Sequence, residues 1–144
     1  MSRTPDQLVQ GFFADIRSGH HLDRVNDYLA PRVVAHQIVG EDAHSIVVRT
    51  PEDYADHVRE MLATYGDFTL QIEERLVQED RVYVRWRQTG VHRAEIEGFP
   101  RTERPIDEVA SAVYRIEDDR VVEYWIQVDR YGLRLQLERL SKIA

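Results

Sequence analysis

The hydrophobic pattern of this chain changes its period once, close to Asp67. Before that point apolar residues recur at the spacing of an α-helix, as Leu8, Phe12 and Ile16 do. After it they alternate with polar residues, beginning with the stretch Phe68–Leu76, and alternation is the period of a β-strand. A chain that is helical first and extended later predicts an α+β fold.

Three helices are predicted in the N-terminal part of the chain. The first is capped by Thr4 or Asp6 and ends at Ser18-Gly19, and the second, within HHLDRVNDYLA, stops before Pro31. The third starts at Thr50-Pro51, where proline takes the first helical position and acidic residues follow in the first turn. A short amphipathic helix closes the chain.

Strands dominate from Phe68 onward. Four of them predict an antiparallel meander around the helices, and the second runs from Arg81 to about Glu95. The segment Arg32–Gly40 predicts one further short strand, and we expect Glu41–Val48 to form a surface loop. A curved sheet of this kind can enclose a cavity, which is a natural place for a small ligand.

Length and charge restrict the function classes. A chain of 144 residues fits one domain, 1–144. The net charge of −7, with arginines scattered among acidic residues, argues against nucleic acid as a partner. The absence of cysteine excludes disulfides and thiolate chemistry. No apolar run approaches the ~20 residues of a membrane span, and no signal peptide is recognisable, so we expect a cytoplasmic protein.

Side chains that could carry chemistry alternate along the predicted strands. They are Glu123, Trp125, Gln127 and Asp129 in the last strand, Trp86, Gln88 and His92 in the long middle strand, and His36 in the early strand. If these faces converge, one pocket holds all of them. Burial there would raise the pKa of Asp129 toward neutrality, as a general acid/base requires. A neighbouring His or Gln would stabilise an enolate.

Each of these residues also has a structural interpretation. Asp129 stands directly before a helix, where aspartate is a favoured N-cap, although a cap can also be catalytic. Trp86 and Trp125 fit a hydrophobic core, and a single His36 or His92 is commonly a hydrogen-bonded structural residue. No spacing of His, Asp and Glu matches a metal site, so we expect no metal.

The C-terminal stretch VVEYWIQVDRYGLRLQLE resembles the closing motif of the SnoaL-like polyketide cyclase family. Its matching residues are Glu123, Trp125, Asp129, Gly132, Leu133, Gln136 and Leu137. The segment RWRQTGVHRAEIEGFPRTERPI is similar to an internal segment of that family, with matches at Gly90, His92, Gly98, Pro100, Thr102 and Arg104. VVAHQIVG resembles the early strand through His36 and Gly40. Arg101, Glu103 and Glu138 depart from the pattern, in place of a proline and two glycines.

The resemblance implies an NTF2-like cone, in which a strongly curved antiparallel sheet carries three N-terminal helices and a short C-terminal helix. Such domains usually form a homodimer through the sheet. The resemblance also implies an enzyme without a cofactor, in which Asp129 acts as acid/base in an intramolecular aldol condensation. Strand alternation adds His92 as a second catalytic residue. The same alternation predicts substrate contacts at His36, Trp86, Gln88, Trp125 and Gln127.

Our hypothesis from sequence is therefore a cyclase or isomerase that removes a proton next to a carbonyl group of a hydrophobic small molecule. One alternative is a non-catalytic small-molecule binding protein on the same fold. A second is epoxide-hydrolase-like chemistry, which would need a second carboxylate to position water. Since one fold supports many functions, the fold does not choose among them.

Overall fold

The computed structural model describes residues 2–37 and 45–143. Three α-helices and six strands make up the fold: α1 Pro5–Phe12, β1 Leu29–His36, β2 Ile46–Arg49, α2 Pro51–Tyr65, β3 Thr69–Gln78, β4 Arg81–Val91, β5 Pro105–Glu117, β6 Arg120–Val128 and α3 Arg130–Ser141. The strands form one sheet in the order β2-β1-β6-β5-β4-β3. All neighbours are antiparallel except β1 and β6, which are parallel. The α+β prediction with a four-stranded meander is confirmed.

The helix starts are decided by local chemistry. The side chain of Thr4 accepts a hydrogen bond from the backbone N–H of Gln7, and the Gln7 side chain accepts one from the backbone N–H of Thr4. Thr50 and Asp53 make the same reciprocal pair at the start of α2. Each cap is followed by a proline in the first turn. Both starts agree with the sequence prediction because a capping box needs only neighbouring residues.

A π-helical turn, Phe13–Arg17, continues α1. Its defining bond runs from the backbone N–H of Ser18 to the carbonyl oxygen of Phe13, at 3.1 Å. The wider turn keeps both Ile16 and Arg17 on the buried side of the helix. Turns of this kind occur often at functional sites.

Three boundaries differ from the sequence prediction. The second helix is a 3₁₀ helix, Leu22–Asp27, and its predicted last residues belong to β1. Of the predicted loop 41–48, residues 41–44 lie outside the described residues, whereas Ile46–Arg49 forms β2 against β1. β4 ends at Val91 because the backbone of His92 turns to bond with Glu103 and Arg104. The first two differences arise because a segment of four to six residues is too short to define a hydrophobic period.

The helices α1 and α2 cover one face of the sheet, which we call the inner face. Its largest fully buried side chains include Trp86, Tyr114 and Phe12. A smaller cluster under α3 joins Leu133 and Leu137 to the end of α2. The inner face therefore carries the main core, and the opposite, outer face is only partly covered.

Candidate active site

The inner face of β4, together with His92 directly after its end, holds the polar residues that alternation predicted to share a face. Trp86, Gln88 and His92 are each 0% exposed. The prediction that these three side chains share one face is confirmed. His92 is four residues from Gln88, about 13 Å along a strand, and its Nδ1 shares a 3.1 Å hydrogen bond with Thr102 Oγ1. The polar centre of the core is therefore formed around Trp86 and Gln88, with His92 at its end.

A carboxylate lies beside Gln88 on the next strand. Glu108 of β5 pairs with Gln88 in the β4–β5 register, so the two side chains share the inner face. The hydroxyl of Tyr65 donates a 2.8 Å hydrogen bond to Glu108 Oε2. Burial raises the pKa of Tyr65, and the neighbouring Glu108 charge raises it further. Tyr65 therefore stays protonated and acts as a donor at neutral pH.

Gly90 lets the end of α2 approach the sheet closely enough for this contact. A Cβ at Gly90 would lie 2.5 Å from the carbonyl oxygen of Tyr65 and 2.8 Å from its Cβ. Only glycine leaves room for the helix backbone at this distance. The Gly90 position thus brings Tyr65 over the inner face, within reach of Glu108.

Arg17 reaches the same region from the π-helical turn. Its Nη2 donates a 2.8 Å hydrogen bond to Gln88 Oε1. Its guanidinium carbon lies 5.6 Å from the ring centroid of Phe68 and 5.8 Å from that of Trp86. Arg17, Trp86, Gln88, Tyr65 and Glu108 are therefore the polar residues that the structure gathers at the centre of the cone, and we call them the interior site.

Three N–H groups of the interior site have no hydrogen-bond partner among the described residues. They are Arg17 Nη1, Gln88 Nε2 and Trp86 Nε1. Buried polar groups are nearly always hydrogen-bonded, and an unmade bond is costly. Unpaired donors in one region indicate a place for a ligand acceptor. His92 Nε2, just beyond the end of β4, is likewise buried without a partner among the described residues.

His36 and Trp125 lie elsewhere, on the outer face. Their rings stack at a centroid distance of 4.8 Å and an interplanar angle of 7°, and His36 Nε2 lies 2.7 Å from Glu123 Oε2. The guanidinium of Arg81 covers the Trp125 ring at 4.9 Å. The hydrogen bond from His36 is the main cause that lowers the pKa of Glu123. The structure does not bring this group together with Trp86, Gln88 and His92, so the predicted single pocket does not form.

Asp129 and Gln127 are exposed at the end of β6. Asp129 is the N-cap of α3, and its Oδ1 accepts a 2.8 Å hydrogen bond from the backbone N–H of Gly132. A Cβ at Gly132 would meet the Asp129 carboxylate at 2.3 Å. Gln136 of the same motif bonds both the N–H and the carbonyl oxygen of Asp107, each at 2.8 Å. The geometry of the closing motif is therefore that of a helix start and a helix–sheet contact, and the catalytic role of Asp129 stays a prediction.

Replacing Asp129 tests the cap directly. Asp129→Ala is expected to lower the free energy of unfolding by about 1 kcal/mol, because the N–H of Gly132 loses its acceptor. Asp129→Asn is expected to cost only a few tenths of that amount, since asparagine caps equally well. Urea unfolding of the two variants is the measurement. Equal losses in both would contradict a capping role.

The described part of the chain contains neither a metal site nor a membrane span. Among residues 2–37 and 45–143, no group of three or more His, Asp or Glu side chains is placed to hold a metal ion. Within the same ranges, no helix is both long and apolar enough to cross a membrane.

Comparisons with known proteins place the chain in a family. The sequence model of the SnoaL-like polyketide cyclase family matches residues 7–137. The chain belongs to this family. No curated protein matches the sequence. Membership in the SnoaL-like polyketide cyclase family supports a cyclase or isomerase type of function on a small molecule.

Solved structures of SnoaL-like proteins share the fold. A polyketide-cyclase-like protein of Acidithiobacillus ferrooxidans has 23% identity and a TM-score of 0.80, over 97% of this chain and 98% of that chain. IdmH of Streptomyces antibioticus has 24% identity and a TM-score of 0.79, over 94% and 99%. A SnoaL-like polyketide cyclase of Agrobacterium tumefaciens has 13% identity and a TM-score of 0.76, over 94% and 98%. The predicted NTF2-like curved sheet is confirmed.

Sequence reasoning missed three residues of the interior site: Arg17, Tyr65 and Glu108. Tyr65 fits the apolar spacing of its helix, and Glu108 fits a polar position of its alternating strand, so neither pattern marks a functional residue. The sequence contains one signal for Glu108, its position in the strand. It lies on the same alternating face as Ala110, Ala112 and Tyr114, which are buried. No pattern in the sequence distinguished Arg17 from a surface arginine.

Proposed function

We propose that this protein is a cofactor-independent cyclase that removes a proton next to a carbonyl group, with Glu108 as the acid/base. The observation that carries the proposal is the inward carboxylate of Glu108, which accepts a hydrogen bond from Tyr65 through Oε2. That bond orients the carboxylate and directs Oε1 toward a substrate proton. Unpaired N–H donors nearby can bind the carbonyl oxygen.

The reaction follows in two proton transfers. Glu108 accepts the proton from the carbon next to the carbonyl group, and the electrons of that C–H bond form an enolate. The enolate carbon attacks a second carbonyl carbon of the same molecule, which forms the C–C bond of a ring and an alkoxide. The alkoxide takes the proton back from Glu108, so the product is a cyclic β-hydroxy ketone and the carboxylate is regenerated.

Trp86 and Gln88 keep the roles in substrate binding that alternation predicted. Trp86 Nε1 is a buried donor without a partner, suited to the oxygen on which enolate charge develops. Gln88 lies directly opposite Glu108 in the register and presents its Nε2 to the same space. The predicted roles of His36, Trp125 and Gln127 in substrate binding would require a ligand on the outer face.

Proton exchange tests the assignment without knowledge of the natural substrate. We expect wild type to exchange the protons next to the carbonyl group of 2-tetralone and of polycyclic β-diketones in D₂O, followed by ¹H NMR. Glu108→Gln is expected to slow this exchange by about 10²- to 10⁴-fold, the usual contribution of general acid/base catalysis. Asp129→Asn is the matched control and is expected to retain the wild-type rate within a few-fold.

Each outcome of this experiment has a definite meaning. Loss of exchange in Asp129→Asn with retention in Glu108→Gln would reverse the assignment in favour of the residue indicated by the family motif. Tight binding of the ketones by wild type without any exchange would favour the non-catalytic binding protein.

The homodimer and the cytoplasmic location expected from the sequence also belong to the proposal. Half-buried apolar side chains of the outer face, Val109 and Val113 on β5 and Trp125 on β6, support pairing through the sheet. Light scattering of the purified protein would measure the mass of the assembly.

A further inference from the structure

Arg17 is a buried cation with no carboxylate partner among residues 2–37 and 45–143. Its exposure is 4%, and in the part of the chain that the structure describes it forms no ion pair. The one hydrogen bond to Gln88 involves a neutral acceptor. Charged groups are buried only at a high cost unless they are paired. The rings of Phe68 and Trp86 offset part of this cost, but they neutralise no charge.

The orientation of Gln88 adds a second donor beside the guanidinium. Arginine has only donors, so the oxygen of the Gln88 amide must face Arg17 and its nitrogen must point away. Gln88 Nε2 is then a buried donor without an acceptor, like Arg17 Nη1. Arg17 Nη1, which belongs to a charged guanidinium, and Gln88 Nε2 therefore both lack an acceptor among the described residues.

We propose that Arg17 and Gln88 form an anion-binding subsite that takes the carboxylate of an aromatic ligand. A carboxylate has the charge to neutralise the guanidinium and has lone pairs for both Arg17 Nη1 and Gln88 Nε2. Glu108 does not fill this role, because its carboxylate bonds to Tyr65 whereas Arg17 Nη1 and Gln88 Nε2 have no partner among the described residues. The substrate class of the interior site is therefore an aromatic or polycyclic carboxylic acid.

An apolar pocket next to the subsite fits the body of such a ligand. A cavity of about 480 Å³ lies between α1 and β3, and Phe13 and Phe68 are in its wall. The Phe13 ring packs edge-on against Trp86 at 5.1 Å, and the Phe68 ring contacts the guanidinium of Arg17. We place the ligand's ring system in this pocket, with a change of the Phe68 rotamer bringing its carboxylate to Arg17, since side-chain rotamers commonly change on binding.

That the ligand of this subsite is a substrate rests on the proposed function, whereas its binding does not. The test of the subsite measures binding and not turnover, so the two proposals can fail separately. No preference for the anion, with intact ketone exchange, would contradict only the anion-binding subsite. A clear preference for the anion without ketone exchange would contradict only the proposed reaction.

Titration of the complete chain with 2-naphthoate and 2-naphthamide, followed by ¹H–¹⁵N NMR, is the experiment. The chain has two tryptophans, so its spectrum has two indole signals. The signal of Trp86, assigned with Trp86→Phe, lies beside the subsite, and that of Trp125 on the outer face is the internal control. We expect naphthoate to bind at least 10-fold more tightly than naphthamide and to shift Trp86 but not Trp125.

Two arginine variants separate the subsite from a general effect of positive charge. Arg17→Met is expected to abolish the preference for naphthoate and to leave the melting temperature unchanged or higher, because an unpaired buried charge is replaced by an apolar side chain of similar length. Arg75, which lies in the wall of the same pocket and pairs with Asp6, is the matched control. Arg75→Met is expected to keep the preference.

The following results would overturn the proposal. They are equal affinity for naphthoate and naphthamide, no binding of either by wild type, a shift of Trp125 instead of Trp86, or loss of the preference in Arg75→Met. A lower melting temperature of Arg17→Met with an unchanged preference would assign Arg17 a purely structural role.

Discussion

Raising the pH above 10 is expected to lower the free energy of unfolding of this protein steeply. Burial is the first cause that raises the pKa of four tyrosines of the interior, Tyr54, Tyr65, Tyr114 and Tyr124. In the unfolded chain a tyrosine loses its proton near pH 10, whereas in the folded protein these phenols keep theirs to higher pH. The stability that they contribute is therefore complete below pH 10 and is lost as the pH rises.

The size of this loss follows from proton linkage. Each phenol that stays protonated in the folded protein removes about 1.4 kcal/mol from the free energy of unfolding by pH 11, so Tyr54, Tyr65 and Tyr114 together remove about 4 kcal/mol. A domain of this size typically has 5–15 kcal/mol in total. Urea unfolding at pH 9, 10, 10.5 and 11 would measure the loss.

Two single-tyrosine variants make the prediction specific. Tyr54→Phe is expected to reduce the loss of unfolding free energy by pH 11 by about 1.4 kcal/mol, because one of these buried phenols is absent. Tyr131, which is 71% exposed, provides the control, and Tyr131→Phe is expected to leave the dependence unchanged. A free energy of unfolding that stays constant from pH 9 to 11 would contradict the assignment of these phenols to the core.

Gly90→Ala is expected to destabilise this protein strongly. The new Cβ would lie 2.5 Å from the backbone oxygen of Tyr65, 2.8 Å from the Cβ of Tyr65 and 3.3 Å from the Cβ of Phe68. None of these atoms is the far end of a flexible side chain, so β4 or the end of α2 must move. We expect a loss of about 3 kcal/mol, at the upper end of the range for overpacking.

The same substitution is expected to affect the proposed chemistry, because moving the end of α2 moves Tyr65 away from Glu108. Ketone exchange should therefore fall even at temperatures where the variant is folded. Thr89→Ala is the matched control on the same strand. Its side chain points outward and donates to Asp107, so its replacement should cost at most about 1 kcal/mol and leave exchange intact. Similar losses in both variants would show that the closeness of α2 to β4 is unimportant.

Within the fold, predictions succeeded where neighbouring residues decide the structure. The helix starts at Thr4 and Thr50 and the shared face of Trp86, Gln88 and His92 each depend on a few neighbouring residues. The family pattern also indicates the backbone conformation of single residues. Glu103 stands where the pattern has glycine, and its φ of 58° lies in the left-handed region that glycine prefers.

Within the site, predictions failed where the position of another element decides the structure. Alternation correctly put Trp125 on the same face as Glu123 and Gln127, but both faces of β6 carry apolar residues. The side chain of Tyr124, one position earlier, is the one that the helices cover. Trp125 instead meets His36, which follows from the pairing of β1 with β6.

The sequence by itself determined the order of helices and strands, the helix caps, the family, and which side chains of a strand lie together. It did so because periods and caps are properties of short segments. Only the tertiary structure decided which face of each strand is buried, that Arg17 is inside rather than in water, and that Glu108 rather than Asp129 faces the core. Those outcomes depend on contacts between residues far apart in the chain, such as Arg17 with Gln88 and Tyr65 with Glu108, and no local pattern encodes them.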